Sequence, residues 1–92
     1  MDVWNVAETE GNMLEGTICC SSYNTGFFEA AVSMGDINAI YCGHDHNNDY
    51  QGVLEGITLG YGRKTGLGSY GPAEGVANGA RIIQLNQNDP TR

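Results

Sequence analysis

An α/β chain, mostly strand with one short helix, is what the sequence predicts, and three local patterns carry that reading. Phe27, Ala30, Ala31 and Met34 recur at helical spacing. Ala39-Ile40-Tyr41-Cys42 is a compact apolar run closed by Gly43, as in a buried strand of an α/β layer. Two further β-prone segments flank Glu55-Gly56, a turn dipeptide for a hairpin.

Taken in order, residues 1–15 are polar and weakly patterned, with Glu8, Glu10, Gly11 and Asn12 supplying turn chemistry, and read as an arm or linker. Residues 16–22 are expected to form a short strand, because Thr17-Ile18-Cys19-Cys20 is β-prone. Asn24, Thr25 and Gly26 offer helix-capping residues ahead of the amphipathic stretch, in which Phe28 also pairs with Val32. Gly35 supplies the C-terminal stop. After the strand at 39–42 comes a polar loop, Gly43 to Asp49, and then the hairpin of Tyr50–Leu54 with Ile57–Tyr61. The glycine-dense stretch from Gly60 to Gly79 has too little side-chain mass for a regular element. Ala80–Leu85 is expected to be a last strand, and residues 86–92 a polar tail that frays.

Composition narrows the function. The 92 residues carry 11 acids against 4 bases, a net charge of −7, so there is no basic footprint for nucleic acid. No apolar run reaches the roughly 18 residues of a membrane span, and no basic segment followed by an apolar one marks a secretory signal. With 40% hydrophobic and 16% charged residues, the chain is too apolar for a disordered tail. The three cysteines include an adjacent pair, Cys19-Cys20, and show no C-x-x-C spacing. They read as buried thiols without chemistry, a single disulfide being the alternative, and compartment stays open.

The most informative residues are His44 and His46, the only two histidines, which directly follow the 39–42 strand. In extended backbone, residues two apart point to one side, about 6–7 Å apart at their roots. Such a pair suits two metal ions held ~3.5–4 Å apart, and the carboxyl end of a strand is where α/β sheets place ligands. The plain alternative is two histidines in a solvated polar loop, since a metal site wants three or four ligands. Asp45, Asn47, Asn48 and Asp49 lie close by with oxygen donors. Elsewhere, Gly66-Leu67-Gly68-Ser69-Tyr70-Gly71 formally fits G-x-G-x-x-G, but Pro72 and Gly75 follow where a dinucleotide site requires a helix. Arg63 and Lys64, half of the chain's 4 bases, are expected to be exposed in this loop.

Gly43-His44-Asp45-His46 resembles the G-H-x-H motif of calcineurin-like metallophosphoesterases, and the run Cys20–Gly71 resembles the C-terminal part of their purple acid phosphatase-related group. The likeness extends over roughly residues 15–85, with the motif, the helix–strand unit before it, the Asn48-Asp49-Tyr50 continuation and the glycine-rich tail in the family's order. The resemblance implies the C-terminal part, residues 16–85, of a four-layer α/β/β/α sandwich holding two transition-metal ions, iron, zinc or manganese. It implies that His46 serves the first metal and His44 the second, and that the substrate is a phosphate ester. Asp45 occupies the motif's variable position.

The family's D-x-H, G-D-x-x-D and G-N-H-[DE] motifs do not occur in these residues: Gly35-Asp36 continues Ile37-Asn38-Ala39, and Gly11-Asn12 continues Met13. The segment thus carries one edge of a dinuclear site. The expectation is a segment of a metal-dependent phosphoric ester hydrolase that is inactive alone. The alternative is a non-catalytic remnant or a regulatory metal-binding or interaction fragment. Its uncovered faces are expected to favour self-association, and neither nucleic acid nor membrane is an expected partner.

Overall fold

The computed structural model describes residues 9–16 and 19–89. Its regular elements are β1 (Glu10–Met13), α1 (Phe27–Met34), β2 (Ala39–Cys42), β3 (Asn48–Leu54) and β4 (Ile57–Tyr61). The strands form one mixed sheet in the order β1-β3-β4-β2. Thus the α/β reading holds as a small mixed sheet with one short helix. No helix among the described residues is long and apolar enough to cross a membrane.

The hairpin is the sheet's local unit. Glu55 and Gly56 both take positive φ, 50° and 79°, which gives the connection the twist that antiparallel strands need. Register runs from Leu54 opposite Ile57 to Gln51 opposite Gly60. β2 adds to the far side of β4 in parallel, Ala39 opposite Thr58 and Cys42 opposite Tyr61. β1 adds antiparallel to β3, Glu10 opposite Gln51 and Met13 opposite Asn48. This register collects four chain segments at one end of the sheet: the exits of β1, β2 and β4 and the entry to β3.

Several sequence expectations change here. Glu10–Met13, read as part of an arm, is a paired edge strand. Asn48 and Asp49, read as loop, open β3. In the expected strand at 16–22, residues 19–22 are irregular, while Thr17 and Ile18 lie outside the described residues. Ala80–Leu85 is also irregular: Arg81 is drawn onto β4 through its side chain, and Ile82 and Leu85 are left 92% and 82% exposed. β-Prone residues without an adjacent strand edge gain nothing by extending. The cysteines Cys19, Cys20 and Cys42 are exposed thiols, so neither the buried packing nor the disulfide expected of them is found.

α1 begins at Gly26 and stops at Gly35, whose N–H donates to the Ala31 carbonyl. Asn24 does not cap it; its Oδ1 accepts the Gly26 amide 2.9 Å away in a turn just before the helix. Of the apolar helix face only Ala31 is buried. Phe27, Ala30, Ala31 and Met34 instead line an open groove of about 460 Å³ with Ile37, Ala39 and Ile40. β2, expected to be buried, is correspondingly exposed along most of its length. Among the described residues, the buried apolar side chains are those of Ala31, Tyr50 and Ile57, joined by two buried polar ones, Asp45 and Asn48.

Candidate metal centre

The loop between β2 and β3 stands at the end of the sheet where the other segments converge. His44 leaves β2's direction at once, with φ 88°. The extended geometry that would send His44 and His46 to one side therefore does not exist here, because a left-handed residue turns the chain between them. Asp45 then closes a turn, its carbonyl accepting the Asn48 amide at 3.2 Å.

That turn carries the Asp45 side chain inward. Asp45 is 2% exposed. Its Oδ2 accepts the Tyr61 hydroxyl at 2.8 Å, whereas its Oδ1 is buried with no hydrogen-bond partner. Burial first, and then the bond to Asp45, pushes the Tyr61 phenol above its ordinary range, so it stays a proton donor at neutral pH. Cys19 approaches from the segment after β1. Its thiol is raised above its ordinary pKa, first by hydrogen bonding to the Asp45 carboxylate and then by that group's charge. Donor atoms of Cys19, His44 and Asp45 all lie within 4.8 Å of one another.

His46 is positioned separately. Its ring stacks on Tyr70 with centroids 4.1 Å apart and planes inclined by 16°. Its Nδ1 lies 2.8 Å from the Tyr70 carbonyl oxygen, an arrangement that places the proton on Nδ1 and leaves Nε2 for a ligand. The His46 amide donates to the Tyr70 hydroxyl at 3.3 Å. Gly71 sits against this pair at φ 72°, where a Cβ would fall 2.9 Å from both the His46 Cβ and the Asn47 Oδ1. The glycine here has a physical reason, because the loop's backbone approaches the histidine loop more closely than a side chain allows.

Polar contacts fix the surroundings. The Asn47 amide donates to Glu15 Oε2 at 3.1 Å, and Asn48 Oδ1 accepts the Leu14 and Glu15 amides. Arg63 and Lys64, expected to be exposed, are half-buried. Arg63 pairs with Asp49 through Nε and Nη2, and Lys64 donates to the carbonyls of Gly66 and Gly68. Arg81 spans Tyr61 O and Gln51 Oε1, with its guanidinium 5.4 Å from the Tyr41 ring centre. These cations stitch the loop down rather than wait for an anion.

Sequence reasoning singled out His44 and His46 and passed over Cys19 and the buried state of Asp45. The one local hint was an aspartate inside the motif; the contact with Cys19 is long-range and leaves no spacing pattern.

At the carboxyl end of the parallel β2–β4 pair, Cys19, His44 and Asp45 thus form a group of residues that could hold a metal ion. Three curated proteins of Arabidopsis thaliana are similar to the chain. "Probable inactive purple acid phosphatase 29" is 40% identical over 80 residues, covering 87% of this chain and 20% of its own length. "Probable inactive purple acid phosphatase 28" is 41% identical over 61 residues, covering 66% and 15%. "Probable inactive purple acid phosphatase 14" is 36% identical over 77 residues, covering 84% and 19%. These three likenesses support a purple acid phosphatase-related, calcineurin-like family for the chain. It spans only 15–20% of the length of these relatives. No protein-family model and no solved structure matches it.

Proposed function

We propose that the chain is the C-terminal segment of a metal-dependent phosphoric ester hydrolase of dinuclear type, with His44 and His46 as its metal ligands, and that it is inactive alone. The observation that carries this reading is the Gly43-His44-Asp45-His46 loop at the sheet's carboxyl end, in a chain similar to proteins named as probable inactive purple acid phosphatases. The donors fit such ions. His46 has its Nδ1 oriented by a carbonyl, the usual way a protein fixes a ligating imidazole. His44 is exposed beside a buried carboxylate with one uncommitted oxygen. When bound, iron, zinc or manganese ions at such a centre activate water and offset charge on the phosphoryl group. The chain's own part is to present two imidazoles from a turn held by Glu15, Asn48 and Tyr70. The remaining ligands, and the other layers of a four-layer sandwich, belong to the rest of the protein in this reading.

The test uses a longer protein that contains this segment, with bound metal counted and hydrolysis of a chromogenic phosphate monoester followed. His44→Ala and His46→Ala should each lower metal content, with activity reduced by at least 10²-fold; metal content untouched by either would overturn the assignment. The isolated 92 residues should hydrolyse nothing with zinc, manganese or iron. The second reading, a non-catalytic metal-binding or interaction segment, is favoured by the word "inactive" in the relatives' names. Metal bound through both histidines without any hydrolysis is its expected result.

The isolated chain is also proposed to self-associate through the groove of α1 and β2, where Phe27 and Met34 are 67% and 70% exposed. Sedimentation should show oligomers that Met34→Glu shifts toward monomer. A monodisperse wild-type monomer would count against this.

A further inference from the structure

Cys19, His44 and Asp45 come from two separate segments, one after β1 and one after β2, and meet with their donor atoms within 4.8 Å. Tetrahedral zinc, with bonds of ~2.0–2.3 Å, sets its donors roughly 3.3–3.7 Å apart, so the cluster needs only a small contraction. A second observation points to a cation at this place. Asp45 is almost wholly removed from solvent, one of its oxygens accepts the Tyr61 hydroxyl, and the other is buried with no partner. A buried carboxylate oxygen without a donor is costly, and a cation would satisfy it. The Tyr61 bond meanwhile orients the carboxylate, as outer hydrogen bonds orient metal ligands.

We propose that Cys19, His44 and Asp45 form a three-donor site for one zinc ion, independent of His46. It shares His44 with the dinuclear reading and rests on that reading only for His44 being a ligand. Thiolate, imidazole and carboxylate together select a borderline-soft ion over magnesium or calcium. Three protein donors leave a fourth position open. Binding transfers the Cys19 thiol proton to solvent and places the sulfur lone pair on the metal. Cys19 is exposed, so an ion can reach the site without opening the sheet.

Cobalt(II) is the probe, titrated into the full 92-residue chain under reducing conditions and then displaced by zinc. The expected result is one equivalent bound, with a sulfur-to-cobalt charge-transfer band in the near ultraviolet that zinc abolishes. Cys19→Ser and His44→Ala should each remove the band, and Asp45→Asn should weaken binding at least tenfold. Cys20→Ser, Cys42→Ser and His46→Ala should leave it intact. Cobalt binding without a thiolate band in the wild-type chain, which needs no variant to fold, would overturn the proposal. Equal loss in Cys19→Ser and Cys20→Ser would do the same, since it would report an unstructured thiol pair. Binding that depends on His44 and His46 but not on Cys19 would refute this site while leaving the dinuclear ligands standing.

Discussion

Asn48→Ala is expected to release β1 from the sheet at a cost of about 1–3 kcal/mol, taking about 0.5–1.5 kcal/mol for each of the two part-buried hydrogen bonds lost. Asn48 is 2% exposed, and its Oδ1 accepts two consecutive amides, Leu14 at 3.1 Å and Glu15 at 3.0 Å. Alanine removes that single acceptor and strands both N–H groups. It also frees Glu15, whose carboxylate holds the Asn47 amide inside the histidine loop. The measurement is amide exchange with a denaturant titration. Glu10–Met13 should lose protection while the hairpin amides keep theirs, and Asn48→Asp, which retains an acceptor, should recover part of the loss. Unchanged protection in Asn48→Ala would show that strand pairing alone secures β1.

Gly71→Ala is expected to unseat His46. The residue takes φ 72°, a region that costs an alanine roughly 1–2 kcal/mol. Its new methyl would also lie 2.9 Å from the His46 Cβ and from Asn47 Oδ1, with the His46 carbonyl at 3.2 Å. Neither backbone nor ring can give way without parting the His46–Tyr70 stack. In the isolated chain the ring-current shifts of His46 and Tyr70 should collapse toward exposed values. In a longer protein bearing the segment, affinity for the metal served by His46 should fall about 10- to 100-fold, the usual cost of losing a group that orients a ligand. The His44 cluster should be unaffected. Retention of the stack in Gly71→Ala would mean that the loop relaxes at the glycine instead.

What the sequence disclosed follows from how local each interaction is. The hairpin turn at Glu55-Gly56 and the helix stop at Gly35 are legible because their demand on φ falls on the residues themselves. β1 was not, since Glu10-Gly11-Asn12-Met13 has a loop's composition. Its glycine is needed because the backbone of Asp49 and Tyr50 presses on the place a Cβ would fill, and that closeness exists only once the strands pair. The opposite error, a strand at Ala80–Leu85, arose from propensity without an edge to pair with. At the site, the spacing of the histidines and their place after β2 were readable. The departure from extended backbone there was not, because it depends on one positive-φ residue, His44, which carries no glycine signature. The inward turn of Asp45 depends on Tyr61, and the approach of Cys19 depends on a segment distant in sequence.

The strand order has a kinetic corollary. The β3–β4 pairing closes across two turn residues and is the kind of contact that forms in about 1–10 μs. β1 must reach β3 from Glu10 to Gln51, and β2 must reach past the whole hairpin to lie parallel to β4. Long closures of this kind come after the local one, because their entropy is recovered only when an edge already exists. The histidine loop runs from the strand that docks late to the strand that is ready early. Its final shape is therefore set by the last docking step, and during folding the hairpin exists as a template before the residues that would hold metal have a fixed position.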